Sequence, residues 1–198
     1  QRGKIMAAAL PEGTSGMAAV LNTEESVIAE VCAEVKEIGV CEIANYNCPG
    51  QIVISGQKEA VAAASEKLKA RGARRVIPLQ VSGAFHTSLL DEASVQLREV
   101  LDTYVFEQAL IPVINNVSGK AETRDLREVL QEQICHSVHF TQSLQTMIDM
   151  GVELFIEIGP GHALSGFVRK TTKAIPVYNI DTAEDLEKVV KEVCPDGN

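Results

Sequence analysis

The sequence predicts an α/β protein whose residues 14–80 form a βαββαβ unit, the ferredoxin-like arrangement. Three observations predict it. Short apolar runs alternate with segments whose apolar residues recur at helical spacing. Two of those helical segments stop at a glycine, Gly39 and Gly72, as helices commonly do. Pro49-Gly50 divides two strand-like runs with no helix between them, which turns simple alternation into the βαββαβ order.

The chain enters at Gln1-Arg2-Gly3-Lys4-Ile5-Met6 with a helix-like segment already under way, and no initiator Met or signal peptide. It reads as a piece of a longer protein. Gly16 to Leu21 predicts a strand. Asn22, with Glu25 three residues on, has capping-box spacing. The helix after it carries Val27, Ile28, Val31, Val35 and Ile38 on one side. Strands follow at Cys41 to Tyr46 and Gln51 to Ser55, joined by the turn Asn47-Cys48-Pro49-Gly50. A second helix over about 57–71 turns Val61, Ala64 and Leu68 inward, and Arg74 to Leu79 is the last strand of the unit.

Beyond it lies Val81-Ser82-Gly83-Ala84-Phe85-His86-Thr87, a strand end, a small-residue turn and a histidine at the mouth of a helix. Gly83-Ala84 is expected to make the tight bend. Leu89, Leu90, Ala93, Leu97, Val100, Leu101 and Tyr104 form the helix stripe. A strand is expected at Ile111 to Asn115, then helices over about 125–134 and 141–150, the second closed by Gly151. Val152 to Ile158 reads as a buried strand. Gly159-Pro160-Gly161 turns into a helix, Pro176 to Ile180 is a strand, and Ala183 to Val193 is the final helix. The chain closes at 195–198 soon after that helix, as a stand-alone enzyme would.

Composition removes several function classes. Of 198 residues 45% are hydrophobic, yet no run is long enough to span a bilayer, so a membrane partner is not expected. The formal net charge is −9 and no Lys/Arg block exceeds a pair, which argues against nucleic acid. Five scattered cysteines without a Cys-x-x-Cys suggest a reducing, cytoplasmic location and neither a disulfide framework nor a zinc site. His136 and His139 are three apart but no third ligand is evident, so no metal is expected.

His86 is the candidate base, because imidazole titrates near neutral pH and a strand-to-helix loop can aim it at a substrate. The bland alternative is a loop histidine that caps the helix or faces water. A base suggests a nucleophile. Serine acyl transfer in an α/β protein wants Gly-x-Ser-x-Gly, and these residues contain no such string. Ser55, Ser82 and Ser165 lie beside glycines in the wrong frame. Gly159-Pro160-Gly161 could hold an anion at a helix N-terminus, but it fits no phosphate fingerprint, and a packing turn is the better reading.

Five motifs together carry a resemblance: Thr14 to Ala19 (TSGMAA), Asn45 to Gly56 (NYNCPGQIVISG), Val81 to His86 (VSGAFH), Pro112 to Asn116 (PVINN) and Glu157 to Leu164 (EIGPGHAL). In this order they resemble the malonyl-CoA:acyl carrier protein transacylase family of bacterial fatty-acid synthesis. The resemblance runs along essentially the whole chain. It implies a partial α/β-hydrolase-like domain, residues 1–13 and 81–198, with the ferredoxin-like subdomain inserted at 14–80. It also implies that the family's Gly-His-Ser-x-Gly elbow lies before the segment matched by Arg2-Gly3, so that this sequence resembles the C-terminal two-thirds of the enzyme.

The resemblance assigns roles residue by residue. His86 matches the catalytic histidine, and Gln133 a glutamine whose main-chain carbonyl accepts a hydrogen bond from it. Arg2 matches the arginine that grips the malonyl carboxylate, through two parallel hydrogen bonds. Phe85 matches an aromatic position that goes with malonyl over methylmalonyl. Met17, Asn45 and Asn47 match positions near the substrate cleft, where core methionine and turn asparagines are the alternatives. Malonyl-CoA and acyl carrier protein are the implied partners, with a coenzyme A thioester as substrate and no bound cofactor. Arg71, Arg74 and Arg75, or Arg169, Lys170 and Lys173, could face the acidic carrier. The competing readings are a non-catalytic carrier- or ligand-binding module and an acyltransferase module of a polyketide synthase.

Overall fold

Strand β1 (Ser15–Leu21) is central to its sheet because small and apolar residues let it be buried on both faces. It pairs antiparallel with β3 (Gln51–Gln57) on one side and β4 (Arg75–Leu79) on the other; Ala19 lies opposite Val53 and Ile77. Strand β2 (Cys41–Cys48) pairs antiparallel with β3, giving the order β2-β3-β1-β4. The computed structural model describes residues 1–81 and 83–194. Ser82 of the histidine turn and the closing residues 195–198 lie outside the described residues. The chain divides into two compact units, Gln1–Thr146 and Met147–Asn198.

Period-two alternation sends alternate residues of β1 to different cores. Ala18 and Val20 meet Ile28 and Val31 of α2 (Glu25–Glu34), Val35 just after it, and Val61, Ala64 and Leu68 of α3 (Lys58–Ala70). Met17 and Ala19 face the other way, toward Ala44, Val53 and Phe85. A second group joins α1 (Arg2–Ala8), the 3-10 turn Ser88–Leu90, α4 (Asp91–Leu101) and α5 (Leu126–Cys135) through Met6, Leu90, Ala93, Leu97 and Ile134. Phe85 packs against both groups, so the residue before His86 is held by the sheet and the helices together.

Helix α6 (Phe140–Asp149) leads into the second unit. There β5 (Phe155–Ile158) pairs parallel with β6 (Val177–Ile180), joined by α7 (Ala163–Thr171) and followed by α8 (Ala183–Val193).

Gly56 marks a close approach of two strands. A Cβ there would stand 2.0 Å from the carbonyl oxygen of Val40 and 2.8 Å from its carbon. Both atoms are main chain, so no side chain can swing aside. Gly56→Ala is expected to destabilise the protein by about 3 kcal/mol, as overpacking does. A urea midpoint equal to that of the parent protein would mean β3 can part from residue 40 freely.

Several expectations need correction. The expected strand Ile111–Asn115 is a loop that folds back on itself. Glu122 N–H donates to the Val113 carbonyl at 2.9 Å, Asn115 N–H to Lys120 at 3.0 Å, and Ile114 forms a single bridge with Ala121. The capping box at Asn22/Glu25 does not form. Asn22 takes φ 51° and donates its N–H to the Gly50 carbonyl at 2.9 Å, closing the strand ends, and α2 starts only at Glu25. A capping box forms instead at the start of α8, between Thr182 and Asp185. Helix α2 stops at Glu34, short of Gly39, and leaves Ile38 53% exposed. Asn47 and Cys48 belong to β2, and only Pro49-Gly50 makes the turn. The supposed buried strand at 152–158 is four residues long and alternates, with Ile158 80% exposed.

Candidate functional site

Helix α5 explains the setting of His86. The last carbonyls of a helix have no partner within it. At the end of α5 the Glu132 carbonyl accepts the N–H of His136 at 3.0 Å. The next two carbonyls accept from His86. Its main-chain N–H donates to Ile134 at 3.1 Å, and its ring Nδ1 lies 2.8 Å from the Gln133 oxygen. A carbonyl can only accept, so Nδ1 carries the proton. The Nε2 lone pair is therefore left to take a proton, and the negative end of the helix favours the imidazolium that results.

The chain bends at Gly83, where a bend was expected, and turns again at Phe85-His86 to present the ring. His86 has φ 62°, uncommon for a residue with a Cβ. Neighbouring bonds fix it: the buried Thr87 hydroxyl donates to the Ala84 carbonyl at 2.9 Å, besides the two bonds to α5. Gly83 is needed for another reason. A Cβ there would stand 2.9 Å from Cε1 of Phe85.

Burial holds the His86 imidazole below its ordinary value of 6.5. The Gln133 carbonyl works against this, the positive charge of Arg2 lowers the pKa further, and the main chain of His136 raises it slightly. The net direction is down, so the ring is neutral at pH 7 and ready to accept a proton. A cleft of about 620 Å³ opens beside it, with Glu42, Ser88, Asp91, His136 and Ser137 among its walls.

The remaining predicted residues divide. Arg2 opens α1, exposed, with its charge felt at His86. Gln133 lies near the end of α5, with its carbonyl oxygen 2.8 Å from His86 Nδ1. Phe85 is half-buried and packs in the same group as Met17, which is buried in the core. Asn45 and Asn47 lie half-buried on β2 and do not line the His86 cleft. The Ser137 hydroxyl donates to the Ile43 carbonyl at 2.6 Å, and burial raises the Cys135 thiol, so neither resembles an activated nucleophile. Among the described residues no group of three or more His, Cys, Asp or Glu could hold a metal ion, and no helix is long and apolar enough to cross a membrane.

Two acidic residues escaped the sequence reading. In the second unit the Glu157 carboxylate accepts the N–H groups of Leu164 at 3.0 Å and Ser165 at 2.8 Å, and the Ser165 hydroxyl. Burial alone would raise this carboxyl, but those donors bring it below its ordinary value. The glycine turn at 159–161 thus folds the chain so that its own anion caps α7. The other is Glu42, which binds Ser88 just after the histidine turn. A serine opening a helix without a cap of its own was the available signal.

Residues 1–193 match the acyl transferase domain family. The chain is 42% identical over 194 residues to a malonyl CoA-acyl carrier protein transacylase of Bacillus subtilis, covering 96% of this chain and 61% of that protein. The Staphylococcus aureus protein of the same name (strain MSSA476) is 38% identical over 190 residues, 94% and 62%. Among solved structures, the malonyl CoA-acyl carrier protein transacylase of Clostridium perfringens superposes with a TM-score of 0.94 at 40% identity, covering 98% of this chain and 62% of that one. A malonyl-transacylase in complex with a type II polyketide acyl-carrier protein gives 0.92 at 34% identity, covering 96% and 62%. The chain therefore spans about three-fifths of the length of the relatives it matches.

Proposed function

Because the chain belongs to the acyl transferase family, we propose that it supplies the general base and the acyl-recognition residues of a malonyl-CoA:acyl carrier protein transacylase. The observation that carries this reading is the 2.8 Å contact between His86 Nδ1 and the Gln133 carbonyl, which leaves Nε2 basic. A neutral carbonyl here does what an aspartate does in a serine triad: it fixes the tautomer and steadies the imidazolium.

The chemistry is ping-pong. A serine, outside the 198 residues, gives its proton to His86 Nε2 and attacks the malonyl thioester carbonyl. The tetrahedral adduct collapses, the carbon–sulfur bond breaks, and coenzyme A leaves with the proton from His86. The phosphopantetheine thiol of acyl carrier protein then gives its proton to His86 and attacks the seryl ester. The serine departs and recovers the proton. No electrons are exchanged, so no redox cofactor is required.

In this reading residues 14–80 are a ferredoxin-like subdomain inserted in a partial α/β-hydrolase-like domain, residues 1–13 and 81–198. The antiparallel order β2-β3-β1-β4 with α2 and α3 on one face supports the insert. The acidic carrier is read as facing one of two basic clusters, Arg71, Arg74 and Arg75 or Arg169, Lys170 and Lys173.

Phe85 is proposed to fill the space an α-methyl group would need. One methyl is worth about 1–3 kcal/mol in an apolar pocket. Phe85→Ser is thus expected to raise the kcat/KM ratio of methylmalonyl-CoA to malonyl-CoA by about tenfold or more. An unchanged ratio in competition assays would remove Phe85 from substrate selection.

The experiment for the whole reading is malonyl transfer from malonyl-CoA to holo acyl carrier protein. It compares the 198-residue chain with the same chain joined to the part of the Bacillus subtilis relative that it does not match. Activity is expected only in the joined protein. Transfer by the 198 residues alone would mean that another residue is the nucleophile. A folded but inactive joined protein would favour a non-catalytic carrier-binding module.

A further inference from the structure

Glu42 lies on β2, an edge strand, and its carboxylate engages both donors of Ser88. Oε2 accepts the Ser88 N–H at 2.9 Å, and Oε1 accepts the Ser88 hydroxyl at 2.6 Å. Ser88 opens the 3-10 turn two residues after His86, where the first N–H groups lack partners of their own. An edge strand has one row of main-chain groups unpaired within its sheet. Here that row holds the segment following α5: Val138 N–H donates to the Ala44 carbonyl at 2.8 Å, and Tyr46 N–H donates to the Val138 carbonyl at 2.8 Å. Residues 42–46 therefore grip both sides of the histidine site. One side carries His86. The other continues from the helix end whose carbonyls hold it.

We propose that Glu42 is a positioning residue for acyl transfer. Its two bonds to Ser88 hold the strained turn that aims His86 Nε2. The proposal rests on the reading of His86 as the general base. The turn needs such support, since His86 at φ 62° is fixed by its neighbours and not by its own preference. A misplacement of about 1 Å at a reacting group can cost about 10²-fold in rate. Glu42 lies in the wall of the cleft beside His86, but both its carboxylate oxygens are taken up by Ser88, so its loss is expected to act chiefly on the turnover step.

The test uses the joined protein described above, with transfer to holo acyl carrier protein as the readout. Glu42→Ala is expected to lower kcat by about 30-fold or more while KM for malonyl-CoA moves less than about threefold. Glu42→Gln should recover most of the loss, because its amide oxygen can accept the Ser88 N–H while its amide nitrogen donates to the hydroxyl. Urea midpoints are measured alongside. Should Glu42→Ala fail to fold, Ser88→Ala takes its place, with an expected loss of about fivefold in kcat at constant KM, since it keeps the main-chain bond. A kcat within twofold of the parent in the folded variant overturns the proposal. So does a glutamine variant as slow as the alanine one, for then geometry is not what Glu42 provides. His86→Ala is run in parallel to separate the two readings. If it is inactive while Glu42→Ala is unaffected, the positioning role alone falls. If His86→Ala remains active, the base assignment falls and the role of Glu42 falls with it.

Discussion

Replacing His86 by alanine in the joined protein is expected to lower kcat by about 10³-fold, the usual range for loss of a general acid–base group. The same imidazole acts in both half-reactions, so malonyl loading and malonyl transfer should slow together. The pH profile gives an independent reading. Only neutral imidazole can take the serine proton, so activity must fall as pH drops through the His86 pKa. Burial sets that pKa below 6.5, and the Gln133 carbonyl only partly offsets it. The acid limb of kcat/KM is therefore expected below pH 6.5, with full activity at neutral pH. A limb at or above 6.5 would mean that water reaches the ring more freely than its packing beside Phe85 and α5 allows. Residual activity in His86→Ala should lose this limb altogether. If the limb persists unchanged in the alanine variant, the titrating base is a different group.

The four-stranded sheet with its two helices was legible because its signals are local. The glycine stop at Gly72, the Pro49-Gly50 turn and alternating apolar runs are each read within about ten residues, and they give all four strands in chain order, although α2 ends at Glu34 and not at Gly39. The final helix, Ala183–Val193, was read to the residue for the same reason. Failures came where distant partners decide. Asn22 has a good capping sequence, but the Gly50 carbonyl captures its N–H and the helix starts later. Ile111-Pro112-Val113 is apolar enough for a strand, yet it turns back on residues 120–122. The site shows the same division. His86 stands out by type and position. Gln133 meets His86 through a main-chain carbonyl, which no side-chain chemistry announces, and only the family resemblance pointed to it. Glu42 meets Ser88 across 46 residues, a contact invisible to any local pattern.

Arg2→Ala in the joined protein is expected to lower kcat/KM for malonyl-CoA by about 10²-fold, since losing one partner of a paired charge costs about 2–5 kcal/mol. Transfer from acetyl-CoA, which has no carboxylate to grip, should change little, so the preference for malonyl collapses. Arg2→Lys separates charge from shape. An ammonium keeps the attraction but not the two-pronged bond, and should recover only part of the selectivity. The position suits the role: Arg2 opens α1, and Met6 on that helix packs with Leu90 and Ala93, next to the His86 turn. This link gives a second test that needs no substrate carboxylate. The Arg2 charge pushes the His86 pKa down, so removing it must let that pKa rise. In Arg2→Ala the acid limb should shift to higher pH even with acetyl-CoA, whereas Arg2→Lys should leave it in place. A fall in malonyl activity without movement of the limb would put Arg2 at the substrate but away from the base. Movement of the limb with selectivity intact would make Arg2 an electrostatic neighbour of His86 and not the residue that reads the acyl group.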